Sequence, residues 1–301
     1  MTLEQLRLFV AVAEREHVTR AAEAVRLTQS AVSSAIANLE AQYGVALFHR
    51  IGRRIELTRE GRLFLDEARA VLARAASAGR ILTELSGLSR GTLAVQASQT
   101  IAGYWLPARL VAFRKAHPQI DISLSIGNTL QVAQAVSEGA AEIGFVEGQI
   151  DDPALERAVV AHDRLAMVVA PDHRWTKASR LTPADLLQGE WVLRESGSGT
   201  RSEFEAALRE RGANPAQLPI ALELPSNEAV RAAVEAGAGA TVISELVAAP
   251  GLQAGSLVRL RFKLPERVFH LVRHRERYRS RAGEAFMAIV GKTARGLASG
   301  D

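Results

Sequence analysis

The sequence predicts an α/β protein in two parts: an all-α N-terminal head ending in a small hairpin, and a larger domain of alternating strands and helices, with one long helix between them. Three observations lead there. Apolar residues recur at helical spacing through residues 3–43. The stretch from Thr58 to about Leu88 keeps that rhythm without a proline. From residue 91 onward, short β-branched runs alternate with helical patterns. At 301 residues the chain also exceeds the usual size of a single core.

Composition narrows the function before any motif is read. Hydrophobic residues make up 48% of the chain, yet no run approaches the roughly 20 apolar residues that span a bilayer. The opening MTLEQLRLFVAVAERE lacks the basic start, apolar core and cleavage site of a secretion signal. A soluble cytoplasmic protein with no membrane partner is therefore expected. The absence of Cys removes disulfides, thiolate zinc sites and cysteine nucleophiles together. The net charge of +4 is uneven, with 13 Arg against 10 acids in residues 1–90 and 24 basic against 23 acidic residues beyond. No Lys precedes Lys115, so the cations of the head are all guanidinium groups, planar forks suited to phosphates and base edges. Codon bias toward Arg and Ala accounts for most of this, so local clustering must carry the argument.

Thr2 and Gln5 form a capping box before a first helix with Leu3, Leu6, Phe9, Val10 and Ala13 on one stripe. Thr19 is positioned to cap a short, Ala-rich second helix, Arg20 to Val25. Thr28 caps a third, which runs to about Tyr43 and stops at Gly44. At about 100° per residue, Val32, Ile36, Leu39 and Tyr43 share its inner face, while Ser30, Ser34, Ala37 and Asn38 lie opposite, flanked by Gln29 and Ser33. An ordinary solvated face would carry Glu and Lys. Short uncharged polar groups instead suit base edges in a major groove. Phe48 to Leu57 reads as a hairpin with Arg50, Arg53 and Arg54 at its tip and Arg59 beyond. Alone this is a solvated turn; directly after such a helix pair it is a phosphate-neutralising wing.

Residues 1–65, centred on TRAAEAVRLTQSAVSSAIANLEAQYGVALFHRIGRRIELTREG, resemble the DNA-binding domain of LysR-type transcriptional regulators. The resemblance implies a winged helix-turn-helix over residues 1–59 that binds double-stranded promoter DNA through Gln29, Ser30, Ser33 and Ser34, to which the pattern of residues adds Thr28, Asn38, Arg50, Arg53 and Arg54. Ser30 stands where the family usually has Pro and Ser34 where a longer side chain is common. Residues 60–90 read as a linker helix whose seam, Leu65, Ala68, Leu72, Ala75, Gly79 and Leu82, follows a heptad. This linker implies a homodimer or homotetramer. A seam this rich in Ala and Gly is weak, so the C-terminal domains should add to assembly.

After a break at Gly87 to Gly91, strands are predicted at 92–97, 120–126, 142–146, 164–170, 191–194, 220–224, 240–244 and 268–273. Helices are predicted near 100–116, 129–138, 200–211, 226–236 and 280–297. The resemblance continues through Trp105-Leu106-Pro107, Phe113, His117-Pro118 and Gly139. It implies a periplasmic-binding-protein-like effector domain over 91–301, with one lobe at about 91–161 and 268–301 and the other at about 162–267. Two helix N-termini are expected to face the cleft. Ser98, Gln99 and Thr100 precede one, and Gly197, Ser198, Gly199, Thr200 and Arg201 open the other, giving hydroxyls and free amides suited to a small anionic effector. Asn227 joins them, with Ser226 serving as a cap. Arg201 either adds charge or pairs with Glu205. The Ser98 and Thr100 positions resemble regulators of cysteine biosynthesis, and the Gly197 run resembles regulators of carbon-dioxide-fixation operons, so the ligand stays open. The family further implies that lobe closure alters DNA bending and RNA polymerase recruitment.

An enzyme is not expected, and neither is a cofactor or metal. The Gly197 to Ser202 run resembles a dinucleotide fingerprint, but Ser202 replaces its third glycine. His270 and His274 lie on a predicted strand, about 13 Å apart. The arginines from Arg267 to Arg281 read as an exposed sheet edge. An exported solute-binding protein would share the two lobes but should lack residues 1–60 and carry a signal.

Overall fold

The computed structural model describes residues 1–51, 54–85, 91–178 and 180–297. Two compact units emerge, the first holding Met1–Thr83 with Glu138–Ala140 and the second Glu84–Ser137 with Ala141–Asp301.

In the first unit, helix α1 spans Leu3–Ala13 and carries the Thr2–Gln5 capping box. Helix α2, Val18–Val25, starts earlier than expected: the His17 ring nitrogen accepts the Arg20 N–H, and Thr19 lies inside the helix. Arg26, left-handed at φ 57°, turns the chain into α3, Gln29–Tyr43, which Thr28 caps and Gly44 ends at φ 67°. Val32, Ile36 and Leu39 of α3 are buried with Leu6, Phe9 and Val12. Tyr43 does not join them and is 56% exposed, because the buried contribution of α3 stops at Leu39. Strands β1, Phe48–Ile51, and β2, Arg54–Leu57, form the hairpin with Phe48 opposite Leu57. Its tip at Gly52 and Arg53 lies outside the described residues.

Helix α4, Arg59–Leu85, would be about 40 Å long at 1.5 Å per residue. Its start abuts the chain entering the hairpin: a Cβ on Gly61 would lie 2.0 Å from the Leu47 carbonyl oxygen. The expected seam changes character along its length. Ala68 is buried, and Leu65 and Leu72 pack on the head, as a helix docked on its own domain would. Leu82 is 69% exposed. Of the break expected at Gly87 to Gly91, residues 87–90 lie outside the described residues and Gly91 already belongs to the first strand of the next unit.

The second unit begins with β3, Gly91–Ser98. The helix expected over 100–116 is split into a π-helical turn at Ile101–Trp105 and α5, Pro107–Ala116, because Pro107 suits a fresh first turn. There follow β4, Ile120–Gly127, α6, Thr129–Glu138, β5, Ile143–Glu147, and β6, Leu155–Val169. Next come α7, Pro183–Leu186, β7, Trp191–Arg194, α8, Gly199–Arg209, β8, Ile220–Leu224, and α9, Asn227–Glu235. The chain closes with β9, Thr241–Ser244, α10, Glu245–Ala254, β10, Val258–Arg259, β11, Glu266–His274, and α11, Arg281–Leu297. The sheet runs β10-β6-β11-β5-β3-β4, with β9 also on β6 and β7-β8 as a separate pair.

Two lobes result. In one, Leu93, Phe113, Phe145, Phe269 and Phe286 fill the core. In the other, Trp175, Trp191, Phe204 and Leu208 do so. Strands β6 and β11 connect them: β6 pairs with β11 from Leu155 to Arg164, then with β9 and β10 from Leu165 to Val169. Arg267 and Arg273 therefore do not stand on an exposed edge, whereas Arg275, Arg279 and Arg281, beyond the end of β11, are exposed. Strand β11 is hydrogen-bonded on both sides, to β5 and β6, and Arg267 is buried.

Candidate nucleic-acid interface and interlobe cleft

On the head, Thr28, Gln29, Ser30, Ser34 and Asn38 are exposed and Ser33 is half-buried. The Gln29 amide donates to the Ser33 hydroxyl at 3.2 Å, and the Thr28 and Ser30 hydroxyls lie 3.1 Å apart. These groups can donate and accept toward base edges at little desolvation cost. Glu40, the only charged residue of α3, is half-buried, and one of its carboxylate oxygens accepts the Leu47 N–H at 2.7 Å and the Phe48 N–H at 3.1 Å. It thereby ties α3 to the start of the hairpin. Sequence reasoning missed this role of Glu40, because only the folded turn brings its partners close. Arg50 and Arg54 stand on facing strands, Arg50 opposite Ile55 and Arg54 opposite Ile51. Arg53 lies outside the described residues.

In the second unit, the expected cleft residues of both lobes meet. The Ser98 hydroxyl donates to the Glu147 carboxylate. The Gln99 side chain accepts the Asn227 N–H at 2.9 Å and donates to the Pro225 carbonyl at 2.7 Å. Thr100 accepts from the Asn227 amide at 3.1 Å, and Asn227 in turn accepts from Arg194 at 2.5 Å. Ser98, Thr100, Ser198, Thr200 and Asn227 are all buried. Ser226 caps α9 by accepting the Ala229 N–H, whereas Ser198 precedes α8 without a side-chain capping bond.

The glycines of the α8 turn serve the lobe contact. Gly197 has φ +87°, and a Cβ on Gly199 would lie 2.1 Å from the Glu147 carbonyl oxygen and 2.5 Å from the Thr129 hydroxyl. Arg201 takes the plainer of its two alternatives: it binds Glu205 at 2.8 Å and also Glu223 and the Arg194 carbonyl, so its charge is already matched.

Sequence reasoning missed a buried ionic cluster beside these groups. Arg267 donates through Nε to Asp163 at 2.7 Å and through Nη1 to Thr200 at 2.9 Å, and Nη1 lies 3.7 Å from Glu147. Asp163 also accepts the Ser244 hydroxyl at 2.8 Å. Glu147, Asp163 and Arg267 are each at most 5% exposed. Buried charges persist only when paired in this manner, and losing one partner strands the others. Burial raises the nearby Glu203 carboxyl above its usual range, with Arg267 pulling it back and Glu147 pushing it further up. These partners lie far apart in the sequence, so no local spacing announced them. Among the described residues, no His, Asp and Glu group could hold a metal ion, and no helix is long and apolar enough to cross a membrane.

A helix-turn-helix head carried in one chain with a two-lobed α/β domain defines a DNA-binding transcriptional regulator with an effector-binding domain. Residues 3–62 match the family model for the bacterial regulatory helix-turn-helix protein of the lysR family, and residues 86–295 match the LysR substrate binding domain. The chain is 34% identical over 289 residues to the uncharacterized HTH-type transcriptional regulator YeiE of Escherichia coli strain K12, covering 95% of this chain and 96% of that protein. It is 33% identical over 290 residues to a probable RuBisCO transcriptional regulator of Trichormus variabilis, covering 95% and 86% respectively. This chain therefore belongs to the LysR family, whose members regulate transcription and are not enzymes. The crystal structure of the LysR family regulator CbnR has the same fold, with TM-score 0.69, 24% identity and coverage of 98% of this chain and 99% of that one. CbnR has also been seen in complex with its target DNA, a structure matching with TM-score 0.67 and 24% identity over 97% of this chain and all of that one.

Proposed function

We propose that this regulator reads promoter DNA with the exposed face of α3 and is switched by a small anionic effector held between its lobes. The observation that carries the first half is the pairing of an uncharged, exposed polar face, Gln29 to Asn38, with an Arg-rich hairpin tied to the same helix by Glu40. Gln29, Ser30, Ser33, Ser34 and Asn38 contact base edges or adjacent phosphates, Thr28 sets the start of the helix, and Arg50, Arg53 and Arg54 neutralise phosphates. The working division is a head over 1–59, a linker over 60–90 and an effector domain over 91–301, with lobes at about 91–161 plus 268–301 and about 162–267.

The second half rests on the hydroxyls and amides gathered from Ser98, Gln99, Thr100, Gly197, Ser198, Gly199, Thr200 and Asn227, with a buried guanidinium behind them. Arg201, matched by Glu205 and Glu223, is left out of this site. The protein acts as a homodimer or a dimer of dimers on a near-palindromic site, its linker helices pairing the heads, and lobe closure alters DNA bending and RNA polymerase recruitment. Footprinting on the gene's own upstream region tests the whole scheme. A protected, salt-sensitive site whose extent changes with a panel of small anions is expected. No preference over random duplex at physiological ionic strength would overturn the DNA reading, and a footprint unmoved by saturating anions would overturn the effector reading.

A further inference from the structure

We propose that the Glu147 carboxylate is a built-in stand-in for the effector's anionic group, and that Arg267 is the residue for which the two compete. This rests on the reading of the cleft as an anion site.

The two carboxylates facing Arg267 are not equivalent. Asp163 is fixed twice, by Arg267 at 2.7 Å and by Ser244 at 2.8 Å. Glu147 faces the same guanidinium at only 3.7 Å, beyond hydrogen-bond distance, and its carboxylate takes the Ser98 hydroxyl. The remaining guanidinium nitrogen, Arg267 Nη2, is buried and has no hydrogen-bond partner among the described residues. A guanidinium presents a planar fork that binds an oxyanion through two nitrogens at once, so one tight carboxylate and an unused donor leave room for a second oxyanion group.

Charge decides how that group is accommodated. Glu147 and Asp163 already outnumber Arg267, so a third negative group added to this buried cluster meets strong repulsion. Exchange avoids it: if Glu147 turns away, the incoming oxyanion restores the same balance. The backbone at Glu147 can stay in place during such an exchange. Its carbonyl accepts the Thr129 hydroxyl at 2.6 Å and abuts Gly199, so only the side chain has to move. Departure also frees the Ser98 hydroxyl to donate to the newcomer. The effector would then touch β3 through Ser98, β11 through Arg267 and, through the Arg267–Thr200 bond, the start of α8.

The test is calorimetric titration of the full-length protein with inorganic phosphate, against chloride at constant ionic strength. Glu147→Gln preserves shape and an acceptor for Ser98 but removes the competing charge, and is expected to bind phosphate roughly tenfold more tightly than the parent. Glu147→Asp, which keeps the charge but withdraws it by one methylene, should gain less and serves if the Gln variant melts without cooperativity. Adding Arg267→Lys to Glu147→Gln should abolish the gain. If the parent binds phosphate and Glu147→Gln binds no better, the competition is wrong while the anion reading stands. If the gain survives Arg267→Lys, the anion sits elsewhere and the inference falls. If neither the folded parent nor the folded variants bind phosphate, the inference fails together with the anion reading.

Discussion

Glu40 shows how one carboxylate can set the geometry of a surface it does not belong to. Its two amide partners, Leu47 and Phe48, begin the hairpin, and Glu40→Ala would leave both without that acceptor. We expect a loss of about 1–3 kcal/mol in head stability, read as a lower thermal midpoint, and weaker binding to all DNA sequences alike. Gly61 is equally exacting. Ala there drives a Cβ into the Leu47 carbonyl and should destabilise the head, whereas Ala at Gly79, where an added Cβ would meet nothing within 4 Å, should not. Glu203 supplies a pH signature. Its raised pKa means that the folded protein holds this proton more tightly than the unfolded chain. That contribution is complete below the usual carboxylate range and is lost as pH rises through the raised value. Glu203→Gln should therefore melt above the parent at about pH 8, with the gap closing near about pH 4.

At the scale of elements, α3 and the hairpin should separate by mutation. Ala at Arg50 and Arg53 is expected to weaken binding to every duplex and flatten the salt dependence, while Ala at Gln29 or Ser33 should change which duplex is preferred. Binding isotherms over a salt series with matched and scrambled sites distinguish the two. The elements most legible in the sequence are those with local punctuation: Thr28 and Gly44 bracket α3, and Ser226 caps α9, because caps act within one turn. Legibility failed where the evidence was distant or contradictory. Pro250 inside α10 breaks a helical reading that tertiary packing of Val247 and Ala248 restores. The part of β6 from Leu155 to Arg164, with Glu156, Arg157, His162 and Asp163 among its residues, takes its strand character from pairing with β11. His17 displaced Thr19 as the cap because either can accept an amide proton, and sequence does not say which residue is extended.

For the whole molecule, the lobes are tied by the Thr100–Asn227, Gln99–Asn227 and Asn128–Glu195 bonds. Thr100→Ala removes one of these and should raise the anion concentration needed to alter the footprint, leaving DNA affinity without effector intact. Equal loss of both would indicate a folding defect, not a change in effector response. The two-lobed plan was readable from alternating strands and helices, and the hydroxyls at Ser98, Thr100 and Thr200 from their places at helix starts. The acid–base cluster beside them was not, since Glu147, Asp163 and Arg267 come from three strands and acquire meaning only once β5, β6 and β11 lie side by side.

The connectors β6 and β11 are laddered to one another continuously across the junction, with Asp163 opposite Arg267 and a single irregularity at Phe269–His270. Two independent hinges would let the halves swing apart like covers of a book. A paired ribbon resists that and should yield chiefly by winding, so the lobe closure proposed above is expected to be a twist and not an opening of two covers.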